Sequence, residues 1–112
     1  MKTVKLTPKA SEDLENIWHY GWQHFGEIQA DRYINHLSEI FSIMSANNIG
    51  IFSIMSANNI GNIGTPRPEL GEYIYALPFE RHIIYFIQSV TEVIVIRILS
   101  QNQDAGKHVN WL

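Results

Sequence analysis

The sequence predicts an α+β domain in which an N-terminal strand and an α-helical hairpin pack on one face of a small antiparallel β-sheet. The predicted order of elements is β-α-α-β-β-β. Apolar residues recur at helical spacing between Ala10 and Met44, which predicts the two helices of the hairpin. Two apolar stretches, Arg81–Ile87 and Glu92–Leu99, flank a short polar turn and predict a pair of antiparallel strands.

The N-terminal elements follow from local signals. Lys2–Leu6 alternates polar and apolar residues, which predicts an edge strand with its lysines facing water. Thr7 can cap a helix that begins at Pro8, because proline lacks an N–H that would have no partner there. Gly26 is expected to end this helix. Each helix has one apolar face: Ala10, Leu14, Ile17, Trp18, Gly21 and Phe25 on the first, then Ala30, Tyr33, Ile34, Leu37, Phe41 and Met44.

An identical tandem repeat follows. Residues 40–50, IFSIMSANNIG, recur unchanged as residues 51–61, and residues 62–64 repeat the end of the unit. Two copies are too few for a solenoid. We interpret residues 51–64 as a natural duplication, an engineered feature or a tracing artefact, inserted between the second helix and the sheet of a single domain, residues 1–112. Beyond a proline-punctuated connection, Glu72–Leu77 predicts a further strand, which turns at residues 78–80.

The composition argues against several classes of function. The 112 residues carry a formal net charge of −3, and eight scattered lysines and arginines do not make a broad basic surface for nucleic acid. Without cysteine there are no disulfides or thiolate metal sites. No apolar run approaches the roughly 18–20 residues of a membrane span. We expect a cytoplasmic protein without a cofactor or metal, whose partner is another protein.

The last predicted strand has two apolar faces. Ile94, Ile96 and Ile98 form the predicted core face, and Val93, Val95, Arg97 and Leu99 form the other. Two helices can cover only one face of a sheet of about four strands, and a bare apolar face would be an association site. We predict that a partner covers the second face, or that the C-terminal segment folds back over it.

Arg97 is the most informative charged residue of that face. It is expected either to form an ion pair within the chain, with Glu69, Glu80 or Asp104, or to contact a carboxylate or phosphate of a partner. Arg67 and Arg81 could join it if the strands pair as predicted. Trp111 could insert into a pocket of the partner. The predicted partner-binding residues are therefore Arg67, Arg81, Val93, Val95, Arg97, Leu99 and Trp111.

Other titratable residues predict no catalytic or metal site. His19 and His24 are five residues apart on a helix, off the spacing that aligns two metal ligands. His82 lies among aliphatic residues and is expected to be a hydrogen-bonded structural histidine. The carboxylates of residues 12, 13 and 15 crowd the start of a helix, where they favour its dipole.

Several motifs occur in an order and spacing that resemble ParE-type toxins of the ParE/RelE toxin–antitoxin superfamily. The hairpin carries LTPxAxxDLxxIW from Leu6 and QADRYIxxL from Gln29. The second half carries RPEL from Arg67, RHIIYF from Arg81 and IRIL from Ile96, with Asp104 downstream. The resemblance spans nearly the whole chain apart from the repeat.

The resemblance implies a helical hairpin on an antiparallel sheet, and a cognate antitoxin that binds as an amphipathic or extended segment. ParE-like members poison DNA gyrase, whereas RelE-like members cut mRNA on the ribosome. RNA cleavage needs a base, an acid and a cation, but Ser100-Gln101-Asn102-Gln103 follows the last strand, and Ser100 stands where many ParE relatives have histidine. We therefore expect a non-enzymatic toxin that binds gyrase. A ribosome-dependent endoribonuclease of RelE type and a non-toxic, antitoxin-binding relative are the alternatives.

Overall fold

The computed structural model describes residues 2–46, 64–71, 73–103 and 105–109. Residues 51–63 of the repeated block, Asp104 and Trp111 lie outside the described residues, as do the predictions made for them. The elements in chain order are β1 (Thr3–Leu6), α1 (Pro8–Phe25), α2 (Glu27–Ala46), β2 (Thr65–Pro66), β3 (Tyr75–Phe79), β4 (His82–Gln88), β5 (Glu92–Ser100) and α3 (Ala105–His108). No helix within these ranges is both long enough and apolar enough to cross a bilayer.

The five strands form one sheet in the order β1-β5-β4-β3-β2. Strands β2 to β5 pair antiparallel, whereas β1 pairs parallel with β5, with Thr3–Leu6 opposite Glu92–Val95. The predicted α+β class and the helical hairpin are confirmed. The sheet differs from the prediction in being mixed and in containing the two-residue strand β2.

Both ends of α1 are formed as predicted. The Thr7 hydroxyl accepts a hydrogen bond from the Ala10 N–H at 3.1 Å and donates one to the Ile96 carbonyl at 2.7 Å, so one side chain caps the helix and ties it to β5. Gly26 has φ 91° and ψ 164°, a conformation that is essentially restricted to glycine. This residue separates α1 from α2.

The environment of Lys2 corrects the prediction for the first strand. Its side chain is buried and its Nζ donates to Gln88 Oε1 at 3.1 Å, while burial lowers the pKa of the amine. The end of α2 covers this position, because the Lys2 N–H donates to the Ser45 carbonyl and the Ser45 hydroxyl donates to the Lys2 carbonyl. Only Lys5 is exposed as predicted, and it pairs with Glu92 at 2.6 Å.

Strand β3 begins and ends later than the predicted Glu72–Leu77. Tyr73 has a φ of 67° and lies in a turn, and the turn into β4 is at Glu80 and Arg81 instead of at residues 78–80. Pro78 is inside the strand, opposite Ile83. Because β2 pairs only with the first two residues of β3, the edge of β3 that faces away from β4 is not paired with β2 at Pro78, and the missing N–H is tolerated there.

A β-bulge reverses the predicted faces of β5 from Val93 to Ile96, whereas Ile98 and Leu99 lie on the faces predicted for them. Tyr85 pairs with Arg97 and Phe86 pairs with Val95, so Ile96 is the extra residue. Val93 and Val95 are fully buried in the same cluster as Ile98, beneath the helices. The assignment of Val93 and Val95 to an uncovered face is therefore wrong, as is that of Ile96 to the helix side, because one inserted residue shifts the alternation of a strand.

The second face of the sheet is covered by the chain itself. Its cluster of buried residues comprises Ile74, Ala76, Tyr85, Ile96, Leu99, Ala105 and Val109. Ala105 and Val109 come from the C-terminal segment, and Leu99 beneath them is 1% exposed. Of the two predicted coverings, the folding back of the C-terminal segment is confirmed.

Candidate functional site

Arg97 of β5 is held by two other elements, α1 and α3. Its Nε and Nη2 donate to the two carboxylate oxygens of Asp13 at 2.7 and 2.8 Å, and its Nη1 donates to the His108 carbonyl at 2.9 Å. The same Asp13 carboxylate accepts the Ile98 N–H at 3.0 Å. The hydrogen bonds that Arg97 donates to Asp13 are the main cause of its raised pKa. The predicted ion pair within the chain exists, but Asp13 takes the place of Glu69, Glu80 or Asp104.

The other two predicted arginines contact different partners. Arg67 Nε lies 2.9 Å from Glu69 Oε2, and this hydrogen bond is the main cause of a raised pKa for Arg67. Arg81 is exposed, with its guanidinium carbon 5.2 Å from the centroid of the Phe25 ring. The three side chains therefore do not share an ion-pair partner, and their part in binding another protein stays a prediction.

A groove runs between the helical hairpin and the turn from β3 to β4. Its inner part is an apolar cavity of about 260 Å³ between Ile17, Gly21, Phe25, Ala30 and Tyr33 on the helices and Arg81 on the turn. Its outer part, of about 690 Å³, shares Arg81 and His82 with the first and extends to the segment after β5, residues 100–103. We call the two parts together the hairpin groove.

His82 and Tyr33 form the polar pair in this groove. The Tyr33 hydroxyl lies 2.6 Å from His82 Nδ1 and 3.4 Å from the Phe79 carbonyl. Burial, followed by the charge of Arg81, lowers the pKa of His82, while burial raises the pKa of Tyr33. At neutral pH the imidazole is therefore neutral, and its Nδ1 can accept a hydrogen bond from the Tyr33 hydroxyl.

The prediction that His82 is hydrogen-bonded is confirmed. Its location in the hairpin groove was not predicted. In the register of β4 and β5, His82 lies opposite Ser100, the residue that replaces the histidine of many ParE-type sequences. Sequence reasoning placed no titratable side chain at that point. The register of two adjacent strands was the signal that could have found it, because residues paired across strands point to the same face.

The tip of the hairpin exposes an aromatic cluster. Tyr20, Trp22 and Phe25 are each at least 50% exposed, and Ile28 is 75% exposed. Tyr20 stacks on His24 with ring centroids 3.9 Å apart. Phe25 was predicted to be in the buried stripe, but it is the last residue of α1, where it lies beneath the guanidinium of Arg81.

The strand, helical hairpin and mixed sheet together define an α+β fold. No family model and no curated protein matches the chain. Among the solved structures, a chain described as the chromosomal ParDE TA system from P. aeruginosa matches with a TM-score of 0.67 and 20% sequence identity, over 89% of this chain and 96% of that one. At this identity the match establishes the fold, and it confirms the predicted resemblance at that level.

Proposed function

We propose that this chain is the toxin of a type II toxin–antitoxin module, acts in the cytoplasm by binding and poisoning DNA gyrase, and is neutralised by a cognate antitoxin. The observation that carries the proposal is the fold match to a ParDE TA chain over nearly its full length. The motifs that resemble ParE-type toxins lie on α1, α2, β4 and β5, apart from RPEL, which lies between β2 and β3. The proposed action is binding without catalysis.

The chemistry at the end of β5 supports binding rather than RNA cleavage. Arg97 is the only cation of β5 itself, and its guanidinium is engaged by Asp13 and the His108 carbonyl. A phosphorane-like transition state needs a cation that is free to approach it. The exposed residues Gln101–Gln103 offer neutral amides, and the net charge of −3 disfavours docking on ribosomal RNA.

A supercoiling assay with purified gyrase tests the proposal. We expect micromolar protein to inhibit supercoiling and to accumulate cleaved DNA complexes, both with the full chain and with a version that lacks residues 51–64. Folding of both proteins is verified by circular dichroism. If the folded version that lacks residues 51–64 leaves supercoiling unchanged, gyrase is not the target.

A second candidate, ribosome-dependent RNA cleavage, is favoured by one observation. Tyr33, His82 and Arg81 place a hydroxyl, a neutral imidazole and an exposed cation in one groove, and these groups could serve acid–base chemistry. Primer extension on translated mRNA after induction tests it. Cleavage by the wild-type chain that is lost in Tyr33→Phe and His82→Gln would replace the gyrase proposal.

The third possibility, a non-toxic antitoxin-binding relative, is separated by growth. Expression without an antitoxin is expected to arrest growth if the chain is a toxin. Uninhibited growth both with the full chain and with the version lacking residues 51–64 would favour the non-toxic relative instead.

A further inference from the structure

We infer that the inner cavity of the hairpin groove binds one large apolar side chain of a partner protein together with a carboxylate beside it. The inference concerns a pocket and the chemistry of its ligand, and it does not depend on gyrase being the target. The pocket lies between α1, α2 and the β3–β4 turn, with Phe25 and Arg81 at its mouth.

The size and lining of the cavity fit a single bulky side chain. Gly21 faces Ala30 across the hairpin, and a Cβ placed at Gly21 would lie 3.4 Å from the Ala30 Cβ, at the limit of ordinary van der Waals contact. Ile17, Phe25 and Tyr33 supply the apolar walls. An apolar cavity of about 150 Å³ is enough to bind benzene, so the volume of about 260 Å³ accommodates an aromatic or branched aliphatic side chain.

The charge at the mouth favours a carboxylate. Arg81 is exposed and lies over the Phe25 ring, and it forms no ion pair with any carboxylate in the described parts of the chain. Glu80 also lines the cavity, and the other titratable groups there are Tyr20, Tyr33 and His82. The guanidinium of Arg81 can bind an anion through charge-assisted hydrogen bonds, and the anionic side chains of an unmodified protein segment are those of Asp and Glu. The ligand that complements this mouth is an Asp or Glu side chain next to the apolar anchor.

The outer part of the groove indicates that the anchor belongs to an extended protein segment. The inner cavity opens towards Ser100 and the amide side chains of Gln101, Asn102 and Gln103. Amides both donate and accept hydrogen bonds, which suits the alternating N–H and C=O groups of a peptide. A free small acid would leave this part of the groove unused.

An NMR titration with fragment ligands tests the pocket. The probe is N-acetyl-L-phenylalanine, and the matched controls are N-acetyl-L-phenylalaninamide, which lacks the carboxylate, and N-acetyl-L-alanine, which lacks the ring. We expect saturable shifts of the Gly21, Ala30 and Arg81 amides. The acid should bind about tenfold more tightly than the amide, as expected for one charge-assisted hydrogen bond. The alanine derivative should not saturate.

Three single-residue variants test whether the charge of Arg81 causes the tighter binding of the acid. Arg81→Gln should weaken binding of the acid to that of the amide, and Glu80→Gln should strengthen it. Arg32→Gln is the matched control, because Arg32 is exposed on α2 and lines neither part of the groove. Thermal unfolding verifies that each variant is folded.

Four results would overturn the inference: no saturable shift at these amides, equal binding of acid and amide, equal effects of the Arg81 and Arg32 variants, or a patch that is occupied by a second copy of the chain. Sedimentation of the free protein detects the last of these. Gyrase is absent from the titration. A negative titration would therefore exclude the pocket without bearing on gyrase, and a negative supercoiling assay would exclude gyrase as the target without bearing on the pocket.

Discussion

Asp13 and Arg97 are 84 residues apart in the sequence, yet their side chains form a two-pronged ion pair with distances of 2.7 and 2.8 Å. Their side chains are only 11% and 16% exposed. The pair lies beyond the end of β1, where β5 has no strand neighbour on that side, and Asp13 there accepts the Ile98 N–H. Together with the bond from Arg97 to the His108 carbonyl, it joins α1, β5 and the C-terminal segment.

Asp13→Ala should therefore destabilise the fold strongly. It leaves a largely buried guanidinium and the Ile98 N–H without their acceptor, and breaking a buried pair costs about 3–5 kcal/mol. Urea denaturation measures the loss in the free energy of unfolding. The matched control is Lys5→Ala, which breaks the exposed pair with Glu92 and should cost less than about 1 kcal/mol. Equal losses in the two variants would contradict this account of the Asp13–Arg97 pair.

Replacing both members should restore much of the stability. Asp13→Leu combined with Arg97→Met removes the unpaired charge and fills the space with apolar atoms. We expect the double variant to be more stable than Asp13→Ala, with the Ile98 N–H still unsatisfied. The single variants Asp13→Leu and Arg97→Met are measured alongside it. If the double variant loses as much stability as the two single variants added together, the residues do not interact.

Thr7 provides a second, smaller link between α1 and the sheet. Thr7→Ala should lower the free energy of unfolding by about 1–2 kcal/mol, because it removes the helix cap and the bond to the Ile96 carbonyl. Thr7→Ser retains the hydroxyl and is the control. Thermal unfolding compares the two variants. The interpretation is wrong if Ser and Ala destabilise the protein equally.

Local signals explain why the helices were predictable. Thr7, Pro8 and Gly26 each act within a few residues of chain, so the bounds of α1 follow from the sequence. The stripe from Ala30 to Met44 also predicted the buried face of α2, because an uninterrupted helix keeps the same periodicity along its whole length.

The faces of β5 could not be predicted in the same way. Alternation assigns faces only while a strand is regular, and the extra residue Ile96 is visible only once β4 is paired with β5. The partner of Arg97 was missed for a related reason. Asp13 was interpreted locally, as a helix-dipole residue, whereas its contact depends on how α1 packs beside the edge of β5.

The titration of His82 makes stability depend on pH. Its pKa is lowered in the folded chain, mainly by burial, so the folded state favours the neutral imidazole. The stabilisation is fully present above the unfolded pKa of about 6.5 and is lost as pH falls through the lower folded pKa. We expect the free energy of unfolding to decrease more between pH 7 and pH 5 in the wild-type chain than in His82→Gln. Glutamine can still accept a hydrogen bond from the Tyr33 hydroxyl. A difference in the slope of the free energy of unfolding against pH therefore reports the titration of His82. Identical slopes would exclude a contribution from His82.

Deleting residues 51–61 should leave the fold intact. The first copy of the repeat supplies the core contacts at the end of α2: Met44 is 1% exposed, and Ser45 bonds to the backbone of Lys2. The deleted residues carry no charge, and six residues would still connect Ala46 to Gly64, a reach of roughly 20 Å. Since each doubling of loop length costs only about 0.6 kcal/mol, the shorter connection should change stability by about 1 kcal/mol at most.

Met44→Ala gives the matched contrast to this deletion. In the shortened chain it removes the only copy of a buried methionine and should cost about 2–5 kcal/mol. In the full chain, residues 51–57 repeat the sequence of residues 40–46 after eleven residues, which is close to three helical turns. A smaller loss in the full chain than in the shortened one, measured by urea denaturation, would mean that the second copy can take the place of the first. Equal losses would mean that only the first copy fits the core.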